Sequence, residues 1–327
     1  MKQALIPQLA LAFGLSMAGL GAAAAADAYP TRPIHLVVGF PAGGASDVAA
    51  RAVAEKMAVK LGQPIVIENK PGAASNIAAD QVAKAAPDGY NILFGTISLS
   101  INRSLYKKLN YDALKAFTPV SQLASAPFVL VVHPSSPIKS VQDLITTAKG
   151  AKPGEAMHYA TAGNGSGSHL FTELLTHEAG ITLSHVPYRG AAPAMVDVLG
   201  GQVPLTFDNI ITTLPLIESG KLRGLAVSSK QRSSAAPDIP TLDEAGVAGY
   251  DASSWFGLFV PAGTPEAIVN ALHEAAVYAV HTPEVTKTFQ GVGAEPMGTS
   301  PKEFGSFFRS EVEKWSEVVK RAQVQID

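Results

Sequence analysis

The segment Ile34–Leu61 constrains the fold of this chain more than any other stretch. Its first five residues, Ile34–Val38, form an apolar, β-branched run that is typical of a buried strand. The small residues Pro41–Ala45 follow, and an apolar residue at every fourth position from 49 to 61 predicts a helix with Ser46 as its N-cap. A strand, a glycine loop and a helix in this order point unpaired N–H groups and a helix N-terminus at one spot. The segment therefore predicts an anion site.

The chemistry of the loop narrows the choice of anion. It has neither the Lys-Ser/Thr pair of a P-loop nor a G-x-G-x-x-G pattern, so phosphate and dinucleotide are disfavoured and a carboxylate is preferred. Glycines after a strand also serve simple tight turns, and one such loop would mean little. Four similar loops each open a predicted helix, however: Ala42–Ser46, Gly72–Asn76, Gly163–Ser168 and Gly190–Ala194. Their amides and hydroxyls are neutral donors that can hold a carboxylate reversibly.

Alternation of strand and helix patterns over most of the chain predicts an α/β protein with mostly parallel sheets flanked by helices. Two sets of such units suggest two lobes, with residues 27–125 plus 252–327 in lobe 1 and residues 126–251 in lobe 2. The predicted crossings lie near Ser125–Pro127 and Gly249–Asp251, and Phe128–Val132 is predicted as the strand that follows the first crossing. Two crossings would form a hinge that closes on a ligand between the lobes.

The N-terminal segment predicts export. Lys2 precedes the largely apolar stretch Leu5–Leu20, and the small residues Gly21–Ala26 resemble a cleavage site. The alternative, a membrane anchor, is disfavoured because the apolar stretch is short for a span and has no basic residues after it. We therefore expect residues 1–26 to be a signal peptide, cleaved near Ala26, and the mature chain to be periplasmic.

The overall composition excludes several classes of partner. The net charge of −2 gives no argument for nucleic acid or for an anionic membrane surface. The chain contains no cysteine, which excludes disulfides, thiol catalysis, thiolate metal sites and a lipid anchor on cysteine. With 47% hydrophobic and 16% charged residues, the chain can form sizeable cores.

Catalytic and metal motifs are weak. The chain has no G-x-S-x-G elbow, and Ser166, His169 and Asp208 would form a hydrolase triad only if the fold brought them together. The histidines His169, His177 and His185 are spaced by eight residues, which matches no zinc motif, and they are interpreted as scattered surface residues. We expect no catalysis, metal or cofactor, and keep a serine hydrolase as an alternative.

Some side chains have two possible roles. Asp208 directly follows a predicted strand and could either cap the next segment or face the cleft and pair with a ligand ammonium or hydroxyl. Asp47 is interpreted as a residue that matches the helix dipole, and Trp255 as a packing residue. Phe40 could belong to a core or cover an apolar part of the ligand.

From about Tyr29 to Lys320 the chain carries an ordered set of short motifs. They are Tyr29-Pro30-Thr31-Arg32-Pro33-Ile34, Gly39-Phe40-Pro41-Ala42-Gly43-Gly44, Glu68-Asn69-Lys70-Pro71-Gly72-Ala73, Asp88-Gly89-Tyr90, Val186-Pro187-Tyr188-Arg189-Gly190, Phe207-Asp208-Asn209, Trp255-Phe256-Gly257-Leu258 and Pro261-Ala262-Gly263-Thr264-Pro265. In this set the chain resembles the Bug-type extracytoplasmic solute receptors, the substrate-binding proteins of tripartite tricarboxylate transporters.

The resemblance implies a two-lobed periplasmic-binding fold of the second type. It also implies a monomeric receptor that captures a small carboxylate (a di- or tricarboxylate, an amino acid or an aromatic acid) and delivers it to membrane permease subunits. A periplasmic sensor subunit for a signalling partner is the alternative. Carried over from the family, the carboxylate-binding positions are Phe40, Ala42, Gly43, Gly44, Ala162, Asn164 and Ser166. The other residues expected to bind ligand lie in the same loops or after strands: Ser46, Thr96, Ser98, Gly163, Gly165, Ser168, Tyr188 and Asp208.

Overall fold

The computed structural model describes residues 29–152, 154–291 and 293–322, and the predicted signal peptide lies outside them. The strands are β1 (Ile34–Val38), β2 (Ile65–Asn69), β3 (Asn91–Thr96), β4 (Phe117–Val132), β5 (His158–Thr161), β6 (Ser184–Pro187), β7 (Leu205–Asn209), β8 (Arg223–Val227), β9 (Ser253–Pro261) and β10 (Glu295–Pro296). The helices are α1 (Ala45–Leu61), α2 (Asn76–Ala83), α3 (Ser98–Leu105), α4 (Val141–Gly150), α5 (Gly167–Ala179), α6 (Ala191–Leu199), α7 (Ile210–Glu218), α8 (Glu266–Val280), α9 (Pro283–Gly291) and α10 (Pro301–Ala322). None of the helices in the described ranges is long and apolar enough to cross a membrane.

The sheet has parallel strands on its outside and antiparallel strands at its centre. In the described chain the strand order is β2-β1-β3-β9-β4-β7-β5-β6, with β8 and β10 beside β4. Strand β1 is parallel to β2 and β3, and β5 is parallel to β6 and β7. Strands β4 and β9 run antiparallel to their neighbours. The predicted parallel sheets are therefore present in each half, and two long antiparallel strands lie between them.

Strand β4 connects the two halves. Its residues Phe117–Pro127 pair with β9, and Phe128–Val132 pair with β7 and β8. The prediction of a strand over Phe128–Val132 alone was too short, because β4 has 16 residues. Its first part includes polar residues and two prolines, and the pairing register shifts twice there, so the apolar pattern is interrupted.

The return crossing lies just before β9. The N–H of Ala252 donates to Ser228 of the second half, and the next residue, Ser253, pairs with Pro127 of β4. The two connections therefore lie side by side between the halves, an arrangement compatible with a hinge. The exact lobe boundaries stay predictions.

The opening βα unit folds almost as the sequence predicts, except at the helix start. Ala49, Val53 and Met57 of α1 are buried, and α1 packs against α8. The N-cap is Gly44 and not Ser46, whose prediction as cap was wrong. The helix begins two residues earlier than expected, because the carbonyl of Gly44 already accepts hydrogen bonds from the first turn. Ser46 consequently lies inside the first turn, and its hydroxyl does not cap the helix.

Helix α10, in the C-terminal segment, packs against residues of both halves. Trp255 of β9 and Trp315 of α10 both donate their indole N–H to Glu311. Trp315 also stacks on Phe171 of α5, with ring centroids 5.3 Å apart and an interplanar angle of 5°. The interpretation of Trp255 as a packing residue is confirmed, since it is 1% exposed. Trp255, Trp315 and Phe171 thus belong to one buried apolar cluster with residues of both halves.

The packing of α10 against β9 can be tested at Gly257. A Cβ atom there would lie 2.2 Å from Cζ of Phe304. We expect Gly257→Ala to lower the free energy of unfolding by about 1–3 kcal/mol through overpacking, measured by urea denaturation. Gly150→Ala is the control, because Gly150 ends α4 with ordinary backbone angles and nothing within 4 Å of a new Cβ. Equal stability of the two variants would contradict close packing of Phe304 on β9.

Candidate functional site

A cavity lies between the two halves, at the point where strands from both end. Its volume is about 60 Å³, and it is partly open to solvent. Its walls come from the β1–α1 loop, the end of β3, the β5–α5 loop, the start of α6 and the end of β7. Ligands of open α/β sheets bind at such carboxyl ends of strands. The lining residues are Phe40, Pro41, Ala42, Gly44, Ala45, Ser46, Thr96, Ile97, Ser98, Phe128, Ala162, Ser166, Gly167, Ser168, Ala191, Ala192, Asp208, Asn209, Ser254 and Phe256.

The first loop is held by Asp47. Gly43 has φ of +85°, and its N–H donates to Oδ2 of Asp47 at 3.0 Å. Arg51 and Asn69 also donate to this carboxylate. Burial alone would raise the pKa of Asp47, but the hydrogen bonds from Arg51, Gly43 and Asn69 bring it below its ordinary value. Asp47 therefore stays charged and fixes the loop without lining the cavity.

The second loop is held by His169 in the same way. Gly165 has φ of +73°, and its N–H donates to Nδ1 of His169 at 3.1 Å. In both halves the holding side chain lies four residues after a left-handed glycine. The left-handed conformation is one that glycine adopts without strain.

The ring of His169 stacks on that of His185, with centroids 4.1 Å apart. Burial lowers the pKa of His169 to about 3, with a further contribution from His185, and burial lowers the pKa of His185 to about 4. Both rings are therefore neutral near pH 7, which leaves Nδ1 of His169 free to accept from Gly165. The interpretation of these two histidines as scattered surface residues was wrong, whereas His177 is exposed.

The amides that follow these glycines have no acceptor within the described protein. In α1 the N–H groups of Asp47 and Val48 already donate to Gly44, whereas the N–H groups of Gly44, Ala45 and Ser46 have no partner. At the start of α5 the same is true of the N–H groups of residues 167 and 168. All five residues line the cavity. Two helix N-termini, one from each half, thus have free donors at residues that line one space.

Ten of the fifteen residues predicted to bind ligand line the cavity. They are Phe40, Ala42, Gly44, Ser46, Thr96, Ser98, Ala162, Ser166, Ser168 and Asp208. The other five do not line it: Gly43, Gly163, Asn164, Gly165 and Tyr188. The amides of Gly43 and Gly165 are used by Asp47 and His169, that of Gly163 donates to Thr161, and the hydroxyl of Tyr188 donates to Asp197.

Ten further lining residues were missed. Ala45, Gly167 and Asn209 are next to predicted residues, so the loop pattern could have included them. Phe128, Ser254 and Phe256 lie on β4 and β9, which reach the cavity only through pairing of residues distant in sequence. No local pattern could have identified these three.

The cavity has one ionisable side chain among the residues that line it, and that side chain is acidic. Asp208 is 7% exposed; its Oδ1 accepts from the N–H of Asn209 at 2.8 Å and its Oδ2 from the hydroxyl of Thr212 at 3.2 Å. Burial raises the pKa of Asp208 to about 6, although these two hydrogen bonds oppose the shift. Asp208 lies within β7 and not after it. It both contacts the following segment and faces the cleft, so the two predicted alternatives are compatible.

Two serines on α3 differ in a way that bears on ligand binding. Ser98 lines the cavity and is 1% exposed, and its hydroxyl has no partner in the described structure. Ser100 is equally buried, but its hydroxyl donates to Ile97 at 2.8 Å. Buried hydroxyls are normally hydrogen-bonded. The Ser98 hydroxyl is an exception, at a residue that lines the cavity.

The geometry does not support a hydrolase. The Ser166 hydroxyl donates to the carbonyl of Gly163 at 2.6 Å, and Nδ1 of His169 is occupied by the Gly165 amide. A serine nucleophile needs a hydrogen bond to its base, and this pair makes none through the histidine ring. Within the described ranges, no three His, Asp or Glu side chains are grouped so that they could hold a metal ion.

Comparison with known proteins identifies the class. Residues 49–324 match the family described as "Tripartite tricarboxylate transporter family receptor". Protein BugT of Bordetella pertussis is 37% identical over 314 residues, which cover 95% of this chain and 96% of BugT. The chain therefore belongs to the tripartite tricarboxylate transporter receptor family, as the resemblance to Bug-type receptors predicted.

Solved structures agree on the fold. The structure of the periplasmic binding protein BugD is 36% identical, with a TM-score of 0.86 over 91% of this chain and 99% of BugD. An R. palustris protein solved with adipate is 38% identical, with a TM-score of 0.86 over 90% of this chain and 98% of that protein. The protein thus has the two-lobed fold of periplasmic binding proteins and is a solute receptor.

Proposed function

We propose that this protein is a periplasmic receptor that captures a small dicarboxylate between its two lobes and delivers it to a membrane permease of the tripartite tricarboxylate type. The observation that carries the proposal is the set of unpaired amides at the starts of α1 and α5, which belong to residues that line one cavity. No lysine, arginine or histidine is among the residues that line that cavity. A binding site of this kind suits capture and release and performs no chemistry on the ligand.

The amides are suited to a carboxylate for two physical reasons. Hydrogen bonds from N–H groups to an ionised acceptor are stronger than neutral ones. The N-terminus of a helix also carries a partial positive charge, and here two helices contribute it from opposite sides. The amide hydrogen bonds and the partial charges of the two helices together replace the water around one carboxylate. Because no cationic side chain takes part, the ligand remains free to dissociate.

The class of ligand follows from the rest of the cavity. Phe40, Phe128 and Phe256 supply apolar walls, and Ser98 and Asp208 supply polar groups. A short chain with an acid group at each end matches this combination of apolar walls and polar groups, and the related R. palustris protein was solved with adipate. We therefore place dicarboxylates of about four to six carbons first, ahead of amino acids and aromatic acids. The protein acts as a monomer after export, and residues 1–26 are the signal peptide.

A thermal-shift screen tests the proposal. Dicarboxylates, tricarboxylates, amino acids and aromatic acids are added separately to the mature protein. A ligand at a hundred times its Kd stabilises the folded state by about 2.7 kcal/mol, so the melting temperature should rise by several degrees with at least one dicarboxylate. Calorimetry then gives the affinity. A panel that leaves the melting temperature unmoved, together with turnover of a chromogenic ester, would instead favour the hydrolase.

The paired serines give a sharper test. Ser98→Ala removes a hydroxyl without a protein partner, so we expect an unchanged melting temperature but affinity for the dicarboxylate reduced about ten- to a hundredfold, as for a lost bond to a charged group. Ser100→Ala is the matched control, because it removes the bond to Ile97. It should lower stability and leave the affinity unchanged. Equal affinities of Ser98→Ala and the unaltered protein in calorimetry would remove Ser98 from the site.

A further inference from the structure

The carboxyl group of Asp208 faces the cavity without a counter-charge. It is buried, it accepts two hydrogen bonds from neutral donors, and it makes no ion pair in the part of the chain that the structure describes. A buried carboxylate without a cation is unfavourable unless a proton or a ligand neutralises it. The surroundings of Asp208 decide which of these happens when the ligand binds.

The elements around β7 do not supply the missing charge. Strand β4, which pairs with β7, has no titratable side chain over its whole length. The titratable side chains on β5, α5, α6 and α7 are His158, Tyr159, His169, Glu173, His177, Glu178, Asp197 and Glu218.

None of these side chains is paired with Asp208 in the described structure. Tyr159 donates to Glu173, and His169 is bonded to Gly165 and stacked on His185. Asp197 accepts from Tyr188. On the other side of the cleft, Arg51 is paired with Asp47.

A dicarboxylate in this cavity would bring two more negative charges close to Asp208. At short range in a water-poor cavity, like charges repel strongly, and one of two such carboxyl groups keeps its proton. The amides at the starts of α1 and α5 can compensate one ligand carboxylate, but they are already committed to it. The second carboxylate has to find partners among the other polar groups that line the cavity, and Asp208 is one of them.

We propose that Asp208 takes up one proton from solvent when a dicarboxylate binds, so that a neutral carboxyl group and not a second anion faces the ligand. This inference rests on the proposed receptor function. The protonated oxygen then donates to a ligand carboxylate, while the other oxygen keeps the hydrogen bond from Asn209. The Thr212 hydroxyl can rotate and keep its bond to the carbonyl of Asn209. One proton leaves the buffer for each ligand bound, and no other covalent bond forms or breaks.

The direction of the pH dependence follows from linkage. Burial already raises the pKa of Asp208 to about 6 in the free protein, and a ligand carboxylate beside it raises the pKa further. Between the pKa of Asp208 in the free protein and its higher pKa in the complex, the complex binds one proton more than the free protein. The Kd therefore rises by about tenfold for each pH unit in that range. Below the pKa of the free protein, Asp208 is already protonated before the ligand binds, and the Kd no longer changes with pH. The buried histidines do not titrate in this range, since their pKa values are lowered to about 3 and about 4.

Calorimetry measures the proton directly. Adipate is titrated into the mature protein at about pH 8, in phosphate and in Tris, which differ in their heats of ionisation. The difference between the observed heats should correspond to uptake of about one proton per adipate. A series from about pH 6.5 to pH 8.5, where adipate is fully ionised, should show the Kd rising about tenfold per unit. These results need no variant and therefore do not depend on whether a variant folds.

Asp208→Asn should then bind adipate without proton uptake, with a Kd independent of pH and at least about tenfold lower than that of the unaltered protein at pH 8. Asp238→Asn is the matched control, since it removes an exposed carboxylate from the same half and should change nothing. Melting curves confirm that both variants are folded.

Three outcomes would overturn the inference. Adipate could bind with no proton uptake and a constant Kd, in which case the receptor function stands and the proposed protonation of Asp208 fails. Alternatively, 6-aminohexanoate could bind more tightly than adipate and lose affinity in Asp208→Asn, which would mean that Asp208 stays charged and pairs with an ammonium. Finally, no carboxylate of the panel could bind at any pH, in which case the proposed function fails as well.

Discussion

In each half of this protein, a left-handed glycine gives its N–H to a side chain one helical turn further on, and the geometry of the site depends on that bond. Asp47 holds Gly43, and His169 holds Gly165. Those two amides are used internally, and the next amides along the chain, at residues that line the cavity, have no acceptor in the described protein. One holding group is charged and the other neutral, yet the result is the same. Each half contributes a fixed set of neutral donors at a helix N-terminus.

The rest of the fold brings these two sets of donors together. Strand β4 is continuous through both halves, and β9 pairs along its first part, so the two connections lie beside each other. Helix α10 covers this junction, and Trp315 on it reaches Phe171 of the second half. Trp315 and Phe171 lie in one buried apolar cluster that includes residues of both halves. The cavity then lies where strand ends and helix starts from both halves meet.

Much of this could be read from the sequence. The pattern of apolar residues in β1 and α1 is a local signal that depends on neighbouring residues only. The glycine loops identified the edge of the sheets at which the cavity lies. Ser46 was misplaced as N-cap because a glycine can fill that position with its carbonyl alone, and the serine two residues later gave a stronger but misleading signal.

Other parts of the site have no local signal. The roles of Asp47 and His169 depend on loop geometry that only the folded chain defines, so the glycines they hold were expected to face the ligand. Phe256 and Ser254 reach the cavity because β9 returns to the centre of the sheet from a distant part of the chain. The stacking of His169 on His185 likewise joins a helix and a strand whose sequence spacing resembles no motif.

A crystal structure of the mature protein with adipate is the most direct test of the central claim. We expect one carboxylate of the ligand to lie within about 3.2 Å of amide nitrogens from both helix starts, at residues 44–46 and at residues 167–168, with no lysine or arginine in contact. A carboxylate bound to one helix start alone, or held by a cationic side chain elsewhere on the molecule, would contradict that claim.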